Sequence, residues 1–295
     1  MTEDAISVPR RESSLLHFVK GLAVIRESWV GMIGLGIIFF WVLMALFADL
    51  LAPFPPNALG APMTLPGGPA VDGAGIHWLG TDHLGRDILS RIIYGARQVL
   101  LYAPLATVCA YALGIPMGLA AGYRRGFTDE ALSFIANVIL SFPMLVLYIV
   151  VIATIGASGF TIVIAVSLAS APEIMRIVRG LVLDLRHREY VFAAETRGES
   201  AWRIMMVEIL PNARGPLIVD SCLRLGYVII TIGTLGFLGL GLPPPDPDWG
   251  GMITETRSFI TFMPHMSVFP CIAISSLVLG LNLLADGLRE VSLRD

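Results

Sequence analysis

Six long, mainly apolar stretches run along this 295-residue chain, and shorter segments rich in charge, glycine and proline separate them. A helix needs roughly 20 apolar residues to cross the hydrocarbon core of a membrane. The stretches reach about that length, except the fourth, which is shorter. The pattern therefore predicts an all-α, polytopic membrane protein with six transmembrane helices, at residues 29–52, 100–122, 131–155, 159–174, 217–242 and 266–284.

Composition supports a membrane protein and argues against other classes. The chain is 55% hydrophobic and 15% charged, whereas an ordinary soluble domain carries about 25% charged residues. A net charge of −3 without a basic stripe argues against a nucleic-acid partner. The cysteines (Cys109, Cys222 and Cys271) lie in apolar stretches without the spacing of a metal site. We expect no metal and no cofactor in this chain.

The distribution of basic residues predicts the orientation in the membrane. Fifteen of the 20 lysines and arginines lie in the segments that would face the cytoplasm if the N-terminus is inside. Because positive charge favours the cytoplasmic side, both termini are expected there. The first apolar stretch is too long, and begins too late, for a cleaved signal peptide.

The predicted spans divide the chain into consecutive segments. We expect a cytoplasmic N-terminal segment, a first span, a periplasmic loop with a surface helix, a core of five further spans, and a cytoplasmic tail: residues 1–28, 29–52, 53–97, 98–290 and 291–295. The core contains a cytoplasmic loop at 187–212 and a periplasmic loop at 243–265. Helical spacing at 13–25 predicts an amphipathic helix on the inner membrane face, although an extension of the first span fits as well.

The polar segment 190–211 predicts a helical hairpin. Ala193 and Ala194 are small enough for another surface to approach the first helix closely. Gly198 can take the left-handed conformation that ends a helix. Ser200 can cap a second helix, and Pro211 would mark its end. Such a hairpin could project from the membrane and dock on a partner.

Three apolar side chains of this hairpin, Trp202, Ile204 and Met205, could fill a groove on that partner. From spacing alone, an ordinary helix-turn-helix without a partner fits equally well.

The hairpin resembles the coupling loop of the membrane subunits of ABC importers. That pattern is Glu-Ala-Ala, three residues, Gly, nine residues, Ile, one residue, then Leu-Pro. The matching residues are Ala193, Ala194, Gly198, Leu210 and Pro211. Phe192 stands where the glutamate is usual and Glu208 where the isoleucine is usual, which puts a charged contact at position 192 in doubt.

Three further stretches narrow the resemblance. They are LGTDHLGRDILSRIIYGAR at 79–97, FLGLGLPPPDPDWGGMI at 237–253 and NLLADGLRE at 282–290. They are similar to the C-type permease of dipeptide, oligopeptide and nickel importers, a subunit of the bacterial inner membrane with six spans. The similarity covers about residues 29–294.

The resemblance implies a non-catalytic subunit that forms half of a heterodimeric pore. Its partners would be a homologous B-type permease, two cytoplasmic ATPases that bind ATP and Mg, a periplasmic solute-binding protein, and membrane lipid. The ATPases would contact Ala193, Ala194, Gly198, Trp202, Ile209, Leu210 and Pro211. A periplasmic rim facing the binding protein or the partner permease would contain Asp82, Arg86, Asp87, Arg91 and Trp249. We also expect Asp82 to cap a helix and Trp249 to lie at the headgroup level.

Charged residues inside the spans are candidates for function. Asp220 and Arg224 are four residues apart on the fifth predicted helix and can pair. The pair could be structural or could line a solute pathway. Glu173 and Arg176 are open to the same two interpretations.

Three other classes remain as alternatives. A secondary transporter would not need the hairpin and would more often carry carboxylates in the middle of broken helices. An intramembrane enzyme would need a catalytic constellation, and none is convincingly placed. Composition alone does not exclude a scaffold protein. The only lysine, Lys20, does not form a phosphate-binding P-loop, so any ATP would be hydrolysed by another subunit.

Overall fold

The computed structural model describes residues 28–71, 73 and 75–292. The amphipathic helix predicted at 13–25 and the tail at 293–295 lie outside these residues. Helices dominate the described part of the chain. The paired strands β1 (Gly68–Pro69) and β2 (Ile76–His77) form one short antiparallel ladder.

Eleven α-helices follow one another in the described residues, together with a π-helical segment (Ile204–Ile209) and a 3-10 turn (Arg257–Phe259). They are α1 (Trp29–Leu46), α2 (Ala48–Leu51), α3 (Ile88–Arg124), α4 (Phe127–Ser141), α5 (Met144–Ile155), α6 (Gly159–Leu185), α7 (Glu189–Thr196), α8 (Ala201–Arg203), α9 (Leu210–Phe237), α10 (Trp249–Thr256) and α11 (His265–Ser292).

The six predicted spans correspond to five long apolar helices and one broken helix. The five are α1, α3, α6, the continuous run from α8 through α9, and α11. The third predicted span is split into α4 and α5, which are bent by 88°. Phe142 is extended at this break, with ψ of 140°, because a residue before proline, here Pro143, is disfavoured in helical conformation. The prediction of one continuous helix at 131–155 was therefore wrong.

The surface helix predicted within 53–97 is not a separate element. Residues from Ile88 onward already belong to α3, which continues unbroken to Arg124. The predicted boundary at 97 therefore falls inside a helix. The N-cap of α3 is Asp87, whose carboxylate accepts a hydrogen bond from the Ser90 amide at 2.8 Å. The predicted cap, Asp82, instead lies in the preceding turn.

Pro211 does not end the second helix of the hairpin, which was the expectation. The chain passes from α8 through the π-helical segment directly into α9, and Pro211 is in the first turn of α9. Within the π turn, the Leu210 amide donates to the carbonyl of Met205, five residues earlier. Proline lacks an amide hydrogen, and a π turn is one way in which a helix accommodates a local change of hydrogen-bond register. The hairpin is thus continuous with a transmembrane helix.

The most extensive helix packing joins α3 and α6. Three glycines of α3, spaced four residues apart, face three branched side chains of α6 with the same spacing: Gly114 against Ile174, Gly118 against Val178, and Gly122 against Val182. A Cβ atom at any of these glycines would lie 2.5–2.7 Å from the opposing Cβ. The two helices are parallel, because residue numbers rise together along the contact.

Helices α1 and α11 also pack through glycine. A Cβ atom at Gly34 would lie 2.5 Å from the Gly280 carbonyl oxygen and from the Leu284 amide nitrogen. The indole of Trp41 donates a 3.0 Å hydrogen bond to the hydroxyl of Ser276. The first span is therefore joined to the last one, and both ends of the described chain belong to the same bundle.

We predict that Gly34→Val lowers the melting temperature of the detergent-solubilised protein, because the added side chain meets backbone atoms that cannot move aside. Overpacking of this kind costs about 1–3 kcal/mol. The matched control is Gly36→Val on the same helix, where a Cβ atom has nothing within 4 Å. Fluorescence-detected thermal unfolding measures both variants, and equal melting temperatures would contradict the packing.

Candidate functional site

The turn of the predicted hairpin has the local structure that the sequence indicates. Gly198 takes φ of +73°, and its amide donates to the Glu195 carbonyl at 2.9 Å. The Glu199 amide donates to the Ala194 carbonyl at 3.2 Å, which completes a Schellman-type helix end. The hydroxyl of Ser200 then caps α8 by accepting from the Arg203 amide at 3.4 Å. These bonds fix the angle at which the chain reverses.

The hairpin is anchored in the helix bundle by an apolar interior. Its buried side chains, Val191, Ala194, Ile204, Met205 and Ile209, belong to one cluster with the α6 face that meets α3. Ile204 and Met205, which we expected to contact a partner, are 1% and 3% exposed. That expectation was wrong, because both side chains pack into the buried cluster that joins the hairpin to α6. Ala194 and Ile209 are buried as well.

Other hairpin residues form the exposed surface. Trp202 is 62% exposed and Phe192 52% exposed, and both are large apolar side chains. Ala193, Gly198 and Pro211 are also exposed, and Leu210 is half-buried. Large exposed aromatic side chains are typical of residues that anchor protein–protein contacts.

An ion-pair network holds the two arms of the hairpin together. Arg197, after the first helix, is 2.9 Å from Glu199 and 3.7 Å from Glu208. Arg203 is 3.1 Å from the other oxygen of Glu199. Glu208, one of the two departures from the coupling-loop pattern, thus has a partner within the hairpin.

A charged cluster lies between α3, α6 and α9. The predicted pair is present, with Arg224 Nε 3.5 Å from the Asp220 carboxylate. A stronger contact joins Arg224 to Glu173 of α6 at 2.7 Å, and the phenol of Tyr111 donates a hydrogen bond to Asp220. Sequence reasoning missed both Glu173 and Tyr111 as partners, because they come from other helices. The expected partner of Glu173, Arg176, instead donates to the Asn137 side chain at 2.6 Å.

The charged cluster borders a cleft of about 430 Å³. The first turn of α5 forms one wall, and α6 and α9 form the others. Glu173 and Arg224 line the cleft together with hydroxyl and aromatic side chains. Among residues 28–71, 73 and 75–292, no three His, Cys, Asp or Glu side chains converge into a metal site.

A cap covers the opposite end of the bundle from the hairpin, and is formed by residues 53–71, 73, 75–87 and 238–264. All five residues expected on its rim are buried there: Asp82, Arg86, Asp87, Arg91 and Trp249 are at most 6% exposed. The prediction of an exposed rim was wrong for each of them.

The polar members of the five have partners inside the cap. Arg86 Nε lies 2.6 Å from Asp82, and a terminal nitrogen of Arg86 bonds Glu255 of α10. Asp87 binds His77 at 2.8 Å. Arg91 donates to Asn57 at 3.2 Å.

Trp249 has a structural position inside the protein, where it is fully buried. Its indole nitrogen donates a 2.9 Å hydrogen bond to the Ile92 carbonyl of α3. Its ring packs against Gly95 and lies edge-on to Trp41, with the centroids 4.9 Å apart. The cap is therefore joined to both α1 and α3.

Asp248 caps α10 by accepting hydrogen bonds from the amides of Gly250 and Gly251, each at 3.2 Å. Its carboxylate lies against Gly236 and Gly241, where any side chain would overlap it. Burial raises the pKa of this carboxyl to about 6, although the two amides act in the opposite direction.

Comparison with known proteins identifies the family to which this architecture belongs. Residues 114–294 match the family described as the inner membrane component of binding-protein-dependent transport systems. Residues 22–66 match the N-terminal transmembrane domain of oligopeptide transport permease C. The chain belongs to this permease family.

Curated relatives and a solved structure agree with that assignment. The chain is 38% identical over 266 residues to a dipeptide transport system permease protein, DppC, of Alkalihalophilus pseudofirmus, covering 90% of this chain and 86% of that one. It is 41% identical over 214 residues to a glutathione transport system permease protein, GsiD, of Pectobacterium atrosepticum, covering 72% and 71%. An inward-facing structure of the MetNI methionine ABC transporter shares the fold, with a TM-score of 0.59, 17% identity, and coverage of 69% and 97%. The permease is thus a multi-pass inner-membrane subunit of an ABC importer.

We predict that Arg86→Met destabilises the permease, because the change leaves Asp82 as a buried carboxylate without its cation. Breaking a buried ion pair from one side costs about 3–5 kcal/mol. Arg257→Met is the control, since Arg257 is exposed in the same cap. Thermal unfolding in detergent should separate the two variants by many degrees, and similar curves would show that the Asp82–Arg86 pair is not needed.

The Asp248 carboxyl should give the permease a specific pH dependence. Folded Asp248, with a pKa of about 6, binds a proton more tightly than the unfolded chain does, with an ordinary value of 3.8. The stability that it contributes therefore increases as the pH falls from 7 through 6 towards 4. Asp248→Asn removes this titration, so wild type should lose melting temperature relative to the variant between pH 5 and pH 7. Asp246→Asn, at an exposed neighbour, should follow the wild type; a constant difference between wild type and Asp248→Asn would refute the prediction.

Proposed function

We propose that this permease forms one half of a heterodimeric pore in an ATP-driven importer, and that it couples to an ATPase through the hairpin. The observation that carries the proposal is the combination of a buried hairpin interior with exposed aromatic side chains. The interior ties the hairpin to the transmembrane helices, and the exterior is available to a partner.

The connection to the bundle supports a mechanical role for the hairpin. Helix α6 leads into it and α9 leads out of it, with only short turns or a π segment between them. Since its buried residues share a cluster with α3 and α6, a force on the hairpin would move those helices as one body. Rigid-body movement between two packed states is a common way in which transporters switch access.

The exposed surface indicates where the ATPase would bind. Trp202 and Phe192 would be the apolar anchors, beside Ala193, Gly198 and Pro211. Phe192 replaces the usual glutamate of the pattern, so an apolar contact would take the place of a charged one. ATP and Mg would bind to the partner ATPases, and this subunit would carry out no covalent chemistry.

The relatives support a proposal for the solute class. Their names refer to dipeptides and glutathione, and both are peptides with a free ammonium group. We propose that this permease carries small peptides of that kind, delivered by a periplasmic binding protein. Docking of the binding protein would use the exposed face of the cap, for example Trp78, which is 61% exposed, since the residues first assigned to the rim are buried.

We predict that Trp202→Ala reduces ATPase binding at least tenfold, because truncating a central aromatic anchor removes about 2 kcal/mol or more of binding free energy. The tagged permease would be purified from native membranes in mild detergent, and the recovered ATPase measured by mass spectrometry and by ATP hydrolysis.

The matched control is Trp29→Ala, which truncates another exposed tryptophan, 83% exposed, at the start of α1. It should keep full ATPase recovery. If the wild-type chain transports solute without an ATPase, or if both variants retain the ATPase equally, the hairpin is not a docking site. A secondary carrier would then be the better interpretation.

A further inference from the structure

The cleft between α5, α6 and α9 has features of a solute site and not only of a packing defect. Its volume is about 430 Å³, and Glu173 and Arg224 lie on its surface beside three hydroxyl side chains, Ser170, Thr231 and Thr234. A space of this size accommodates several water molecules or a small peptide.

The charges of the cluster do not balance. Among the described residues, the two carboxylates of the cluster, Asp220 and Glu173, pair with the same cation, Arg224. Asp220, whose side chain is 21% exposed, also accepts a hydrogen bond from Tyr111. The side chain of Glu173, by contrast, is 47% exposed, and that of Arg224 only 10%. The surplus negative charge is therefore presented to the cleft by Glu173.

Glu173 retains capacity for another partner. An ionised carboxylate offers about four acceptor positions, and the bond from Arg224 uses one oxygen. Exposed charge on a membrane helix is unfavourable against lipid, and such residues face a water-filled cavity or a protein partner. The first turn of α5, after the 88° break, forms another wall of the cleft. Broken helices often border solute pathways in transporters.

We propose that Glu173 receives the ammonium group of a peptide during its passage through this cleft. The proposal rests on the proposed function as a peptide importer and adds a named contact within the pore. The Glu173 side chain is 47% exposed, so solvent screens its charge, and binding is weak and release is fast. Arg224 acts as a positioning residue, because its bond holds the Glu173 carboxylate at the edge of the cleft.

The electrostatic part of the proposal can be tested without knowing the solute. In the assembled importer, purified in nanodiscs, Cys109, Cys222 and Cys271 are replaced by alanine and Thr231→Cys is introduced in the cleft. The reaction rate of that thiol is measured with a cationic reagent, trimethylammonium-ethyl methanethiosulfonate, and with an anionic one, sulfonatoethyl methanethiosulfonate. Removing one negative charge nearby with Glu173→Gln should lower the cation-to-anion rate ratio about fivefold.

Two further variants serve as controls. Glu173→Asp should restore the higher ratio, since it keeps the charge. Glu130→Gln, at an exposed carboxylate outside the cleft, should leave the ratio unchanged. An unchanged ratio in Glu173→Gln would overturn the proposal.

Protection of the same thiol tests ammonium binding. Dialanine and S-methylglutathione at millimolar concentration should slow the modification in the Thr231→Cys importer, and their N-acetylated forms should not. Glu173→Gln should abolish the protection while Glu130→Gln keeps it. Absence of protection by either peptide, or equal protection by the acetylated forms, would refute the ammonium site.

ATPase content is measured on the same preparations. Loss of the ATPase from the wild-type complex refutes the proposed function. An intact complex without charge-selective protection refutes the ammonium site alone.

Discussion

The packing of α3 against α6 is the constraint on which the rest of the molecule depends. In a membrane the lipid is as apolar as the side chains, so helices associate through close van der Waals contact more than through the hydrophobic effect. Glycines at 114, 118 and 122 let the α6 side chains at 174, 178 and 182 approach the α3 backbone directly. Any larger residue at one of these glycines would push the two helices apart along their whole length.

This contact extends into both ends of the structure. At one end Val178 and Val182 also belong to the cluster that contains Val191, Ala194 and Ile204 of the hairpin. At the other end α3 begins under the cap, where the Ile92 carbonyl accepts the Trp249 hydrogen bond. The same helix pair therefore connects the hairpin to the cap. A displacement of the hairpin would be transmitted to the cap through α3 and α6.

The sequence predicted five of the spanning helices, the turn at Gly198 and the pairing of Asp220 with Arg224, because each depends on residues close together in the chain. It failed where the outcome depends on residues far apart. The Trp249 ring packs against α3 because Gly95, more than 150 positions earlier in the chain, has no side chain and leaves space for it. The burial of Ile204 and Met205 depends on packing in one cluster with Val178 and Val182 of α6, which a hydropathy window does not show. The α3 glycine spacing was a readable signal that the sequence analysis did not use.

Arg86 and Arg224 each contact two carboxylates, yet their surroundings give the two groups of charges different roles. Arg86 binds Asp82 and Glu255 inside the cap, and the Asp82 side chain is only 5% exposed. These ion pairs connect the turn before α3, which holds Asp82 and Arg86, to Glu255 of α10. Each charge in this group has an opposite charge as its partner. Arg224 is similarly buried, but Glu173, its partner, is 47% exposed and borders a 430 Å³ cleft. An arginine bonded to two carboxylates is therefore a fixed structural connection in the cap. Between the membrane helices, the same arrangement leaves one carboxylate, Glu173, accessible to a passing cation.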